Sequence, residues 1–379
     1  MIGSMESVGR QLVLVGGCYQ QILFGYRIKC WRESWDPEVD FTHHAHTASL
    51  TTVAVNDQYV ATGSKDETIQ LYNMKKKIDQ GSLLHHNGTI TCMEFFGNTH
   101  LLSGAEDGLI CVWNTKRWEC LKSIQAHKGH VSSFSVHPSG KLALSVGTDK
   151  TLRTWNLIDG KSAFIKSIKQ NAHIVLWSPS GDKYVVVSNN QLDIYTLKTA
   201  SIRGSITCNE RIFSVKFITE SIIAIAGNEE YVRLYDIKSR KCISEFKAHE
   251  ARVKVLYFFQ VEQNNILATA SSDGYIKLWK LNIEEIQSSP LLLSEVNTEA
   301  RLTCLAVWLS SATSVTQVDE EQNTQCKEDT ATDKCRKGKK NKMKTTPLVE
   351  AVHPETEHQI LCKRKKVVKI KESRKKMKL

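Results

Sequence analysis

The sequence predicts an all-β fold, a propeller of seven four-stranded blades followed by a disordered basic tail, and three observations predict it. Aromatic residues recur at strand ends, at Tyr72, Trp113, Trp155, Tyr195, Tyr235 and Trp279, spaced 41, 42, 40, 40 and 44 residues apart. That period is the length of a four-stranded blade. Six residues before each aromatic stands an acid or amide: Asp66, Asp107, Asp149, Asn189, Glu229 and Asp273. In the four aspartate units His46, His86, His127 and His249 sit upstream, each in a short polar stretch before a β-rich run.

In chain order, residues 1–10 read as a flexible N-terminus and residues 11–309 as the propeller. Leu12 to Gly16, Gln21 to Tyr26 and Val39 to His43 read as strands. The apolar run Leu12 to Val15, with Arg10 its sole basic neighbour, is too short for an export signal, and no run approaches the roughly 20 residues that cross a bilayer. In the first unit, Leu50 to Val55 leads to Tyr59 to Gly63 and Thr68 to Tyr72, two β-rich runs separated by Ser64-Lys65-Asp66-Glu67, a strand, tight turn and strand. The same shape returns in Leu101 to Trp113, Leu142 to Trp155 and Leu267 to Trp279. Units four and five depart from it, with Asn189 and Glu229 in place of aspartate and Asn209 near the histidine position, which predicts looser blades. A full seventh unit does not fit after Trp279, but Arg301 to Leu309 makes one good strand. Joined to the N-terminal strands it closes a seventh blade and removes the exposed edges that invite aggregation.

The pairs Trp113-Asn114, Trp155-Asn156 and Tyr235-Asp236, with these His-to-Asp spacings, resemble the WD-repeat family. In that family the turn aspartate, the upstream histidine, a strand Ser or Thr and the aromatic form a buried hydrogen-bonded set. The resemblance implies such sets from His46, Asp66 and Tyr72; from His86, Asp107 and Trp113; from His127, Ser145, Asp149 and Trp155; and from His249, Asp273 and Trp279. A charge-assisted bond of this kind contributes roughly 1.5–3 kcal/mol.

Enzyme signatures are absent: there is no phosphate loop, dinucleotide fingerprint or nucleophile elbow. No catalytic residue and no cofactor is expected. The clusters His43-His44-Ala45-His46 and His85-His86 invite a metal reading, but no spaced cysteines or acids complete a tetrahedral set, so no metal site is assigned. Eleven cysteines without a Cys-x-x-Cys pair fit free thiols in a reducing compartment. Trp31, Trp35 and Trp118 fall outside the repeated aromatic position and read as packing. Lys65, Glu67, Lys75, Lys76, Lys77, Lys150, Arg153 and Glu230 read as solvated loop charges on the faces and rims.

Charge is uneven. Residues 311–333 carry one lysine against six acids, and residues 334–379 carry 17 basic residues against four acidic ones. The basic runs are Lys337, Lys339, Lys340, Lys342 and Lys344; Lys363, Arg364, Lys365 and Lys366; and Arg374, Lys375, Lys376 and Lys378. Like-charged blocks bury too little apolar surface to offset ordering entropy, so residues 310–379 read as disordered, serving nuclear targeting or RNA contact.

The stretches Phe41 to Leu50, Thr62 to Ile69, Ser103 to Ile110 and Leu142 to Asn156 resemble the p21-activated kinase-interacting protein 1 family, and the resemblance covers residues 11–309. It implies a non-catalytic scaffold of the nucleus and nucleolus, at work in large ribosomal subunit assembly; outside its assemblies a monomer is expected. The implied partners are pre-ribosomal proteins and ribosomal RNA, and the regulatory region of p21-activated kinase, whose activation members restrain. The alternative is a signalling inhibitor or adaptor of the kinase alone, with the tail serving only import.

Overall fold

A computed structural model of the protein describes residues 11–31, 34–44 and 46–310, Trp31 by its backbone alone. The flexible N-terminus and the basic tail expected from the sequence fall outside the described residues. Among the described residues, twenty-eight strands form seven four-stranded antiparallel sheets. Six are consecutive in sequence, with innermost strands at Leu50–Val55, Ile90–Phe96, Val131–Val136, Ile174–Trp177, Ile212–Phe217 and Val253–Val261; these are blades one to six. Among the described residues no helix is long and apolar enough to cross a membrane.

The seventh blade is composite. Its innermost strand, Leu302–Leu309, pairs antiparallel with Leu12–Cys18, which pairs with Leu23–Trp31 and then Ser34–His43. The last two strands run longer than the sequence suggested. The hairpin Leu23–Trp31 to Ser34–His43 continues its ladder through Asp36, Pro37 and Glu38, a run of two acids and a proline that period-two patterning does not mark as strand. Trp35 is buried there among Leu12, Leu14 and Ile28. Asp40 takes both Arg27 of the same hairpin and Lys77 of blade one, so the closing blade is also tied to its neighbour by charge.

The second strand of each blade is buried on both faces because each blade is covered by the next. Leu12–Cys18 is buried along its whole length, and clusters such as Val185, Leu192, Ile212 and Ile223 join adjacent blades. The outer strands face solvent, and Phe164, Ile165 and Ile202 are exposed on them. Trp118 stands edge-on to Tyr59, ring centroids 4.9 Å apart, as packing.

The seam of the closing blade leaves no room for side chains at Gly17. A Cβ there would lie 2.6 Å from Cys304 Sγ and 2.9 Å from Leu50 Cδ2. At Gly16 it would meet the mobile end of Ile276 at 3.1 Å. Gly17→Ala is therefore expected to cost about 1–3 kcal/mol, as overpacking typically does, and Gly16→Ala less; urea denaturation of both variants checks this, and a Gly17→Ala midpoint equal to wild type would contradict the crowded seam.

Candidate functional site

The polar residues that recur with the blade period converge inside four blades. In blade three, Trp155 Nε1–H donates to Ser145 Oγ (2.9 Å), Ser145 O–H donates to His127 Nε2 (2.7 Å) and His127 Nδ1–H donates to Asp149 Oδ1 (2.9 Å). The proton belongs on Nδ1 because an ionised carboxylate can only accept. Blade two repeats the chain with Trp113, Ser103, His86 and Asp107 at 2.8, 2.8 and 2.9 Å. Blade six repeats it with Trp279, Thr269, His249 and Asp273 at 3.1, 2.7 and 3.0 Å. Each aspartate also accepts a backbone N–H from the residue after the histidine. The incoming loop, the turn and the two middle strands are thereby fastened together.

Blade one is shorter by a link. His46 bonds Thr62 (2.8 Å) and Asp66 (2.9 Å), but Tyr72 stacks on Phe41, 4.9 Å between centroids. The sequence pointed to Ser145 alone of the hydroxyl residues; Thr62, Ser103 and Thr269 occupy the same place, four residues before their aspartates. Where blades four and five lack the aspartate they also lack the hydroxyl. Val185 and Ile225 stand in its place, both buried in one apolar cluster. Glu229 instead pairs with Arg233 at 2.5 Å, which also reaches Glu245 at 2.7 Å.

Hydroxyl, imidazole and carboxylate in series is the connectivity of a serine hydrolase triad. Burial decides against that use here. Ser145 and His127 have no exposed surface, and the Ser145 oxygen already accepts the Trp155 N–H, so it faces no substrate. Burial also depresses the imidazoles of His46, His86 and His127 against the pull of their aspartates, keeping them neutral. Burial alone would raise Asp149, but hydrogen bonds from Thr151, His127 and the Lys128 amide outweigh it and hold the carboxyl at about 2. Asp273 is held at about 2 in the same way, with His249 and the Tyr275 amide the main donors.

The innermost strands surround a central cavity of about 480 Å³ whose lining includes Glu94, Phe213, Lys216 and Tyr257. Sequence patterning missed these residues because they come from three blades, Glu94 on blade two, Phe213 and Lys216 on blade five and Tyr257 on blade six. Burial raises the Glu94 carboxyl to about 7, although the Val136 amide donates to it at 3.1 Å. Burial likewise lowers Lys216, whose amine lies 5.6 Å from the Tyr257 ring centroid.

Of the histidine clusters, His43 faces Asp79 at 3.4 Å and His46 is taken up in its blade. The fold does bring His85, Cys111 and Cys120 together, with ligand atoms within 4.8 Å of one another. Burial pushes the Cys111 thiol up to about 12, and no fourth His, Cys, Asp or Glu joins them among the described residues. The set supplies three donors, one short of the four of a structural zinc site. Of the loop charges, Lys65 is exposed, whereas Lys77 pairs with Asp40 and Arg153 with Asp149. The basic residues from Lys337 to Lys378 lie outside the described residues.

Asp149→Ala or His127→Ala strands a buried partner and is expected to cost roughly 1–3 kcal/mol, with Asn189→Ala costing less; equal thermal midpoints for the three variants would remove the fastening role. Protonation supplies a second check. His46, His86 and His127 have folded values below the usual 6.5, so below that pH the unfolded chain binds protons that the fold refuses. Stability therefore falls as pH drops from 6.5, by at most about 1.4 kcal/mol per pH unit for each histidine. Glu94, raised to about 7, acts oppositely, binding its proton more readily when folded. Glu94→Gln should steepen the fall between about pH 6.5 and 5, measured by thermal melts across that range; an unchanged slope would contradict the raised carboxyl.

Two family models match the chain: the WDR19 second β-propeller over residues 7–222 and the WD domain, G-beta repeat, over residues 240–280. The chain is 65% identical to a p21-activated protein kinase-interacting protein 1-like protein of Gallus gallus over 79% of this chain and 81% of that one. It is 58% identical to a protein of the same name from Xenopus laevis, over 93% and 95%. The p21-activated protein kinase-interacting protein 1 of Homo sapiens is 54% identical over 78% and 77%. Among more distant relatives are Shk1 kinase-binding protein 15 of Schizosaccharomyces pombe, 29% identical over 80% and 86%, and Protein MAK11 of Saccharomyces cerevisiae, 25% identical over 65% and 70%. With seven blades closed by one C-terminal strand, four of them fastened by His–Asp chains, and with these relatives, the chain belongs to the p21-activated protein kinase-interacting protein 1 family of WD-repeat propellers.

Proposed function

We propose that this protein is a non-catalytic scaffold in nucleolar assembly of the large ribosomal subunit that also binds and restrains p21-activated kinase. The observation that carries the reading is its likeness, over most of its length, to proteins named for interaction with that kinase. The non-catalytic part is supported by the burial of every hydroxyl–imidazole–carboxylate chain, in a fold that offers exposed loops for partners. Nuclear and nucleolar address, and contact with ribosomal RNA among pre-ribosomal proteins, are supported by the 17 basic residues within residues 334–379. A narrower reading makes the protein only an inhibitor or adaptor of the kinase, with the basic end serving import; the relatives' kinase-derived names favour it equally.

Removal of residues 334–379 should leave the melting midpoint unchanged, abolish nucleolar accumulation of a fluorescent fusion and preserve binding of the kinase regulatory segment. RNA binding by the full chain should weaken steeply between about 50 and 300 mM salt, with a slope of roughly −0.7 per phosphate neutralised on single strands. The shortened chain should lose that component. RNA binding and nucleolar signal that survive the truncation would sink the division of labour, and loss of kinase binding with the tail would sink a propeller-borne kinase site.

A further inference from the structure

One end of the central cavity carries an uncompensated cluster of cations on three consecutive blades. Arg211, Arg252 and Arg301 each stand immediately before an innermost strand, at Ile212, Val253 and Leu302. In blades one and two the same place holds Ser49 and Thr89. Two residues further on, Thr51 and Thr91 donate their hydroxyls to the Ile90 and Val131 carbonyls of the next blade, and His173 donates to the Ile212 carbonyl at 2.8 Å. In blades five and six that place holds Phe213 and Lys254, which make no such tie. The Lys254 amine lies 3.9 Å from the centroid of the Phe213 ring, and the Arg211 guanidinium 5.8 Å from it. On the adjoining blade Arg301 lies 5.7 Å and Lys65 6.0 Å from the ring of exposed Tyr19.

Among the described residues, no carboxylate lies within 4.0 Å of Arg211, Arg252, Lys254 or Arg301. Of the neighbouring acids, Glu229 is engaged by Arg233, Glu250 by Lys247 and Asp273 by His249, while Glu210, which accepts from Asn228 at 3.4 Å, and Glu299 stand close in sequence to Arg211 and Arg301. Burial and then the charges of Arg252, Arg301 and Arg211 push Lys254 down to about 8. Such mutual repulsion destabilises the free protein, and an anion would relieve it. The charges of all three arginines reach the Lys254 amine, and although Arg252 Nε–H donates to Ser272 Oγ at 3.1 Å, the remaining guanidinium N–H groups are donors suited to the oxygens of an anionic group.

We propose that Arg211, Arg252, Lys254 and Arg301 form a binding site, at the mouth of the central cavity, for a phosphorylated side chain of a partner protein. The geometry favours a phosphomonoester over an RNA backbone. Lys254 and Arg211 share the one Phe213 ring and Lys254 feels the charges of Arg252 and Arg301, a concentration that matches the nearly double charge a phosphorylated residue carries at one place, whereas a strand presents single charges in a row. The faces of Phe213 and Tyr19 are already taken by cations, which leaves them poorly placed to stack on bases.

The test uses the full chain and two double variants, Arg211→Gln with Arg301→Gln, both at exposed positions, and Arg252→Gln with Lys254→Met. Each is passed over an immobilised phosphoserine and phosphothreonine peptide library, the same library unphosphorylated, one with glutamate at the central position, and a single-stranded RNA 12-mer. Wild type should be retained at least about tenfold more by the phosphorylated library than by either control, and both variants should lose that preference. Because repulsion is relieved, Arg211→Gln with Arg301→Gln should melt no lower than wild type, which separates loss of binding from loss of fold. Equal retention on all peptide libraries, or a preference intact in the exposed-pair variant, overturns the proposal. So does retention on RNA that the same variants abolish, which would make the mouth a nucleic-acid interface.

Discussion

The hydrogen-bonded chain from indole to hydroxyl to imidazole to carboxylate is the interaction on which the regular blades depend. A blade is a narrow sheet whose middle strands are covered on both faces, so side-chain packing alone tolerates sliding along the strand direction. The chain removes that freedom by fixing the second strand, the third strand, the turn between them and the incoming loop at once. Its four polar groups satisfy one another with the donors and acceptors they have, so burial costs little. The same low-dielectric setting makes loss of any one member expensive.

Chemically the arrangement is a hydrolase triad turned inward. What separates the two uses is access and the fate of the hydroxyl oxygen. In blade three that oxygen accepts an indole N–H and sees no solvent; a nucleophile must instead keep a lone pair aimed at an open site. Blades four and five carry other contacts in place of the chain, an aliphatic cluster around Val185 and Ile225 and an arginine clamped between Glu229 and Glu245.

Much of this was legible in the sequence because the network repeats with the chain: aspartate, histidine and aromatic recur at constant offsets, and seven blades follow from six repeats plus one orphan strand. The hydroxyl member was only partly legible, since Ser and Thr are common in strands and only their place four residues before Asp66, Asp107, Asp149 and Asp273 marks them. The expectation of looser fourth and fifth blades rests on their missing polar residues; the packing of Val185 and the Arg233 pairs found in that place depend on contacts between strands and blades, which patterning does not read. Glu94, Lys216 and Tyr257 meet only through ring closure, so no local window contains them. The arginine triad was readable in principle, by aligning the residues that precede each innermost strand.

The closing ladder pairs Leu12 with Leu309 and Cys18 with Leu302, and beside it the Gln11 amide donates to Ser310 at 2.8 Å. During synthesis the first strand therefore leaves the ribosome long before its partner exists. At translation rates of about 5–20 residues per second, the intervening 283 residues between Cys18 and Leu302 keep a fully apolar strand waiting for tens of seconds. Blades one to six can form meanwhile from local hairpins, but the ring cannot. The nascent chain thus has a built-in interval in which an apolar edge is open to chaperones or to misassembly, ended only when its last strand emerges.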